Sequence, residues 1–332
     1  MNSFHKACCR IKLGGIMYRN GIEVIYFAYK PDDKLYRSLK RLADGKLLPE
    51  AVRVFLTLDD RDFAEKSEHN GDLSENECGN DIKGSGIADR IKASARGIPK
   101  VGIEYIRHSE FRHGGTRQLA TESSPYEKVL LITQDAVPYD DRLLEKLDEA
   151  LDNNDAACAY ARQTAYSDAD DIEKIYRRFN YPLKSRSKTA SDIEKIGIKA
   201  FFCSDVCCMY RHDIFDKVGG FDRSLKFNED SIFAFHALKA GYTVEYVADA
   251  VVYHSHNDPL DLKFKRSRDL AASQKEHPEV FGCVSSEHEG IRFLSYAVRY
   301  LIKKKNFKGI AGLFLSCAAK YAGYFAGKHF KT

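Results

Sequence analysis

The chain has 332 residues, enough for one large domain or two moderate ones, and its 44% hydrophobic and 30% charged content is that of an ordinary globular protein. The formal charge of +4 hides an asymmetry: residues 291–332 hold nine Lys/Arg and no Asp/Glu, which leaves 43 basic and 48 acidic residues in 1–290. A mildly acidic body with no basic stripe interleaved with aromatics excludes nucleic acid as its partner.

Taken in order, Ile22 to Ala28 is a β-rich run followed by Tyr29-Lys30-Pro31-Asp32-Asp33, which suits a turn and a helix start. Leu35, Leu39 and Leu42 give the helical stripe. Val52 to Leu58 is a second strand ending in Asp59-Asp60, and 68–86 reads as an exposed, mobile insertion rich in polar residues and glycine. Val101 to Ile106 is a third strand, and His113-Gly114-Gly115-Thr116-Arg117 follows it. Val129 to Ile132 is a fully buried fourth strand that ends at Thr133-Gln134-Asp135, with a helix predicted from Asp140/Asp141 through Leu143, Leu144, Leu147 and Leu151. Strand and helix alternate at the spacing of a doubly wound, mostly parallel α/β sheet. Ala156 to Arg162 is a further strand, 164–199 reads as a charged loop or lid, and Phe201 to Tyr210 is apolar. Asn228-Glu229-Asp230 opens a helix that Gly241 closes. Thr243 to Ala248 is another strand, then come Val251 to Tyr253 and His254-Ser255-His256-Asn257, and the chain beyond 260 is helical.

The nine cysteines have no regular spacing, and the chain opens without a charged-then-apolar leader. Together these predict free thiols in a reducing cytoplasm. Cys203, Cys207 and Cys208 sit among Phe201, Phe202, Val206 and Met209 with no Cys-x-x-Cys pair, so they read as buried thiols rather than a metal site.

Four constellations could carry chemistry, each with a plainer alternative. Asp135 stands just past the carboxyl end of a strand, where open α/β sheets bind ligands. It is either a metal ligand for a diphosphate or a turn cap. Glu229 and Asp230 at a helix start either satisfy the helix dipole or supply a general base, with Asp230 the better candidate. His254 and His256 bind metal or phosphate, or are solvated loop histidines. The Gly114-Gly115 pair with Arg112 and Arg117 suits close approach of a phosphate, or is a packing turn. G-x-G-x-x-G after the first strand, G-x-x-x-x-G-K-[ST] and G-x-S-x-G are all missing, which disfavours Rossmann dehydrogenases, P-loop NTPases and α/β hydrolases.

The order of these features, Ala28-Tyr29-Lys30-Pro31, Asp59-Asp60, H-G-G-T-R, T-Q-D-A-V-P, G-G-F-D, N-E-D and Y-H-S-H-N, resembles family 2 glycosyltransferases of the GT-A fold. It is most similar to the bacterial rhamnosyltransferases of surface-polysaccharide assembly, over nearly the whole chain except the insertion. The resemblance implies a catalytic domain over 1–259 and a helical extension over 260–332. It implies that Ala28, Tyr29 and Asp59 or Asp60 hold the nucleoside, and that Arg112, Gly114, Gly115 and Arg117 line the diphosphate, with Gln134 beside them. It also implies that Asp135 and His254 serve a Mg2+ or Mn2+ ion, and that Asp230 with Glu229 does the base chemistry. Thr133 stands where the family's first D-x-D acid would be. The implied activity is inverting transfer of a sugar, L-rhamnose from dTDP-rhamnose, from a nucleotide-sugar donor to a lipid-linked glycan at the inner face of the cell membrane. The rivals are a nucleotide-sugar-binding protein without turnover and a membrane-surface interaction protein.

Residues 291–332 combine scattered apolar residues with the nine basic ones, and Lys303-Lys304-Lys305 interrupts the pattern. No apolar run reaches the roughly 18–20 residues of a spanning helix. The segment is either an amphipathic surface lying on anionic lipid or a set of helices packed on the catalytic domain with a solvated basic face.

Overall fold

The structure is a computed structural model that describes residues 11–13, 16–63, 85–152, 155–282, 284 and 287–330. The insertion expected at 68–86 lies outside these except for residues 85 and 86, which open a helix.

The chain runs β1 (Ile11–Leu13), β2 (Ile16–Tyr29), α1 (Asp33–Ala43), β3 (Ala51–Leu58), α2 (Ser85–Ser94), β4 (Val101–Arg107), α3 (His113–Glu122) and β5 (Tyr126–Thr133). It continues through β6 (Val137–Pro138), α4 (Leu143–Leu151), β7 (Ala156–Thr164), α5 (Asp171–Asn180), β8 (Arg186–Lys188), α6 (Asp192–Ile196), β9 (Cys207–Arg211) and α7 (His212–Val218). The last elements are α8 (Glu229–Lys239), β10 (Thr243–Tyr253), α9 (Leu260–Glu276), α10 (Pro278–Phe281), α11 (Glu287–Lys303) and α12 (Phe307–His329).

The sheet order is β4-β3-β2-β5-β9-β7-β10-β6, with β1 on β2 and β8 on β10. β9 lies antiparallel between β5 and β7, so those two strands share a direction. β2, β3, β4, β5, β7 and β10 therefore all end on one rim. The central strands β3, β5 and β7 are buried along most of their length on both faces, as strands between layers of helices are. In β5, Leu130 and Ile132 join the core under α1 and α4, whereas Val129 and Leu131 join the core under α7 and α8. Each such side chain contributes roughly 1.5–3 kcal/mol on burial.

One sequence expectation changes here: the expected loop or lid over 164–199 contains α5. The apolar run 201–210, whose direction the sequence left open, yields an antiparallel strand over Cys207–Arg211. Asp170 caps α5 by accepting from Glu173 N at 2.7 Å, and Ile175 at its centre is fully buried. Ile175 packs with Ala297, Leu301 and Leu313 and so fastens α11 and α12 to the body.

Candidate functional site

The tip of β5 is held in place by its own continuation. Ala136 N returns to Thr133 O at 3.1 Å. Val137 and Pro138 then pair antiparallel with Tyr253 and Val252, an edge position that tolerates a proline. This short ladder brings Asp135 to the end of β10, where His254 begins.

Asp135 Oδ2 lies 3.4 Å from His254 Nε2 and 3.3 Å from His256 Nε2. The two Nε2 atoms are 3.0 Å apart. His254 is buried and the other two are half-buried. Burial alone would raise the Asp135 carboxyl, but its hydrogen bond to His254 and the two facing imidazoles hold it well below the usual carboxylate range. Burial, then the charge of His254, pushes His256 down to about 4.

The orientation of His254 follows from its other side. Gln163 Oε1 takes hydrogen bonds from Arg177 and from His254 Nδ1, the latter at 2.9 Å, while Gln163 Nε2 donates to Ser204 Oγ at 2.9 Å. Arg177 can only donate, so Oε1 is the acceptor and the proton of His254 sits on Nδ1. Nε2 is left facing Asp135, where it donates to the carboxylate when protonated and offers its lone pair to a cation when not. A proton or a cation must lie among these three atoms, since their lone pairs would otherwise repel. One carboxylate and two imidazoles form a donor set suited to a divalent transition-metal ion.

The neighbouring rim carries the residues expected to face the nucleoside. Tyr29 OH donates to Asp59 Oδ1 at 2.7 Å, and Lys30 Nζ lies 3.0 Å from Asp59 Oδ2. Gln134 bridges both backbone groups of Tyr29, accepting from its N at 3.0 Å and donating to its O at 2.9 Å. His108 stacks obliquely on Tyr29. Asp60 instead caps the next turn, accepting from Ser109 N and Oγ, and Ala28 is buried in the core.

Glu229 and Asp230 open α8, and Asn228 before them has φ 67°, a left-handed conformation that Asn tolerates. Asp230 is half-buried; its Oδ1 accepts from Ser231 N at 2.6 Å and its Oδ2 from Asp205 N at 3.2 Å. Burial is the main cause that pushes Asp230 up to about 6. Glu229 is buried and, through burial opposed by Arg117, is pushed up to about 7.

Arg117 is placed differently from a diphosphate-facing residue. It is buried with its guanidinium 3.0 Å from Glu229 Oε1 and 3.2 Å from Asp205 Oδ2, and it bonds His113 Nδ1 at 2.6 Å. Burial and the charge of Arg117 push His113 down to about 3, so His113 is neutral. Two carboxylates thus share one guanidinium, and the charge of a third, Asp230, also bears on it. Gly114 and Gly115 face the 222–225 turn: Gly114 N donates to Leu225 O at 3.0 Å, and a Cβ on Gly114 would overlap the Asp222 carbonyl. That is a packing requirement for glycine. Arg112 is exposed and donates to the carbonyls of Ser109 and Phe111. The basic side chain whose charge bears on both His113 and His256 is Arg266 of α9, which sequence reading did not single out.

Sequence reading offered His256 with His254 as a metal or phosphate ligand, but passed over Gln163, Ser204, Asp205 and Arg177. Ser204 and Asp205 are adjacent, one bonded toward His254 through Gln163 and the other to Asp230, so a single dipeptide joins the two clusters. Cys203 just before them lies 3.4 Å from Cys208 Sγ and 3.9 Å from Cys158 Sγ, all three buried. Cys207 points to the opposite core.

Comparison with known proteins agrees with this architecture. Residues 85–219 match the family described as glycosyl transferase family 2. The O-antigen chain rhamnosyltransferase RfbN of Salmonella typhimurium is 33% identical over 252 residues, 75% of this chain and 79% of that protein. WbaN of Salmonella anatum, also an O-antigen chain rhamnosyltransferase, is 33% identical over 234 residues, 69% of this chain and 73% of that one. Among solved structures, the mannosyltransferase PcManGT of Pyrobaculum calidifontis, in complex with GDP-Man and Mn2+, superposes with a TM-score of 0.55 at 11% identity, covering 94% of this chain and 88% of that one. This likeness shows a common fold. The chain belongs to glycosyl transferase family 2, in its bacterial rhamnosyltransferase-like group, and is a glycosyltransferase.

Proposed function

We propose that this enzyme transfers L-rhamnose from dTDP-rhamnose, with inversion, to a hydroxyl of a lipid-linked surface-polysaccharide chain at the inner face of the cell membrane. The observation that carries the reading is the meeting of Asp135 with His254 and His256 at the rim that also bears Tyr29, Asp59 and Gln134. The rhamnose and polysaccharide parts draw support from the names of RfbN and WbaN.

Asp135, His254 and His256 would hold a Mg2+ or Mn2+ ion, and when bound it supplies positive charge toward the departing diphosphate. Tyr29 and Asp59 would receive the nucleoside. Arg266 would add a cation on the diphosphate side. Asp230 takes the proton of the acceptor hydroxyl as the new C–O bond to the anomeric carbon forms and the C–O bond to the diphosphate breaks. A carboxylate raised to about 6 is ionised at neutral pH yet more basic than a free one, which suits that task. Glu229 is tied to Arg117 and acts by positioning, not as a second base.

The test is a donor panel of dTDP-rhamnose, UDP-glucose, UDP-galactose and GDP-mannose, with and without Mn2+, read by calorimetry and by nucleoside diphosphate release. Binding and release confined to dTDP-rhamnose support the proposal. Release from another donor alone overturns the rhamnose assignment, and silence with all four overturns the enzymatic reading of this site.

A further inference from the structure

α12 is built with its bulk on the outside. Its inner face is small where it meets α9, with Ser316, Gly323 and Gly327 buried, and Leu313 is the large side chain buried beside them. A Cβ on Gly323 would overlap the carbonyl of Phe264, and one on Gly327 that of Arg268, so glycine lets α12 lie directly on α9. Ser267 Oγ adds a hydrogen bond to Lys320 O at 2.7 Å across this contact.

The outer face carries the large side chains. Phe307, Phe314, Leu315, Tyr321 and Phe325 are 48–71% exposed. At 3.6 residues per turn, the four aromatic positions fall within about 40° of one another, along the length of the helix. Ala311, Ala318 and Ala322 fill the gaps and are also exposed. Among the described residues, nine of the sixteen exposed large hydrophobic side chains lie between Ile291 and Phe330. A face of this kind is made to meet something apolar.

The surrounding charge identifies the occupant. Lys303, Lys304, Lys305 and Lys308 are exposed at the amino end of the apolar face and Lys328 at its carboxyl end, with no acidic residue anywhere in 291–332. A second copy of this chain would offer a body of net negative charge but, among the described residues, no concentration of exposed large hydrophobics outside 291–330, whose lysines would then repel. An acidic bilayer satisfies both features at once: acyl chains take the aromatic face and phosphate headgroups take the lysines. No helix among the described residues is long and apolar enough to cross a membrane, which agrees with a helix lying in the interface.

We infer that the outer face of α12 is an interfacial docking surface for anionic phospholipid, with Phe314, Leu315, Tyr321 and Phe325 entering the headgroup boundary and Lys303–Lys305 on the lipid phosphates. The inference deepens the membrane-surface part of the proposed function and rests on it, but its test uses no sugar. The full chain is sedimented with vesicles of phosphatidylethanolamine and phosphatidylglycerol, and with vesicles of phosphatidylcholine alone. Binding to the anionic vesicles is expected, weakened by salt and much weaker on phosphatidylcholine. The triple variant Phe314→Ser, Leu315→Ser, Tyr321→Ser should lose it, and Lys303→Gln, Lys304→Gln, Lys305→Gln should weaken it on the order of a hundredfold. Both variants should keep the wild-type circular dichroism, thermal midpoint and donor hydrolysis, because the changed side chains point outward. Absence of vesicle binding by the wild-type chain, or wild-type binding by the serine variant, overturns the docking surface. So does a wild-type dimer that the serine variant converts to monomer. Intact donor hydrolysis alongside any of these leaves the transferase reading standing.

Discussion

Gln163 accepts a hydrogen bond from His254 Nδ1 at 2.9 Å, and that one contact decides which nitrogen of His254 faces Asp135. The amide cannot flip without setting its NH2 against Arg177, which is itself held by Glu173 at 2.6 Å. A ligand imidazole fixed from behind in this way binds metal better than a free one. Gln163→Leu is therefore expected to weaken Mn2+ binding by about 10–100-fold, with donor turnover recovering at high Mn2+. Electron paramagnetic resonance titration of Mn2+ measures this directly. An unchanged affinity would remove Gln163 from the account of the site.

Asp230 is pushed up to about 6, so turnover should fall as pH drops through that value, because the base is then protonated, and should level off above it. Asp230→Asn abolishes the ionisation. It should lower kcat by about 10²–10⁴ while leaving donor affinity within a few-fold, and the acidic limb of the pH profile should vanish with it. A variant that retains wild-type kcat would move the base elsewhere, whereas loss of donor binding together with kcat would mark Asp230 as structural.

Arg117 is buried beside Asp205 and Glu229, and its charge also meets that of Asp230. Removing it as Arg117→Met strands carboxylates in a low-dielectric site, a change that costs about 3–5 kcal/mol when a buried pair is broken. The sign with pH follows from Glu229, which is pushed from 4.5 to about 7 in the folded chain. Between those values the folded state holds a proton that the unfolded state has released, so stability falls as pH rises through the window. Without Arg117 the carboxyls rise further and the fall steepens. Denaturant melts at pH 5 and pH 7.5 should show the variant much closer to wild type at the lower pH. An equal deficit at both would mean that the guanidinium acts through packing and hydrogen bonds alone.

Much of the fold can be read from periodicity and end signals. Leu35, Leu39 and Leu42 mark α1, and Leu143, Leu144, Leu147 and Leu151 mark α4, all of them buried. Direction is another matter. Cys207 to Tyr210 is equally apolar read either way, so nothing local marks β9 as antiparallel; its pairing with both β5 and β7 does. α5 did leave a signal, an Asp170 cap ahead of Ile172, Ile175 and Phe179, but the charges between them masked it. At the site, Asp135 and His254 are legible because each ends a strand. Arg117 beside two glycines has the same local pattern whether it faces phosphate or acids. Only the approach of the 204–205 segment and of Glu229 from distant parts of the chain distinguishes the two cases.

With Arg117 turned to the acids, the proposed diphosphate side needs another cation, and we give that role to Arg266. It lies in the second turn of α9, and its charge lowers both His113 and His256, one at each cluster. Its ion pair with Asp258 is half-exposed, so losing that pair should change stability little. A cation aimed at charge that develops on the leaving group matters more in the transition state than in the bound donor. Arg266→Gln should therefore lower kcat by about 10²–10³, with a smaller change in donor affinity and a thermal midpoint close to wild type. Arg112→Gln serves as the comparison, since that exposed guanidinium is occupied with the carbonyls of Ser109 and Phe111. Steady-state kinetics with dTDP-rhamnose on both variants separates them: a deficit in Arg112→Gln with none in Arg266→Gln would return the diphosphate to the amino end of α3.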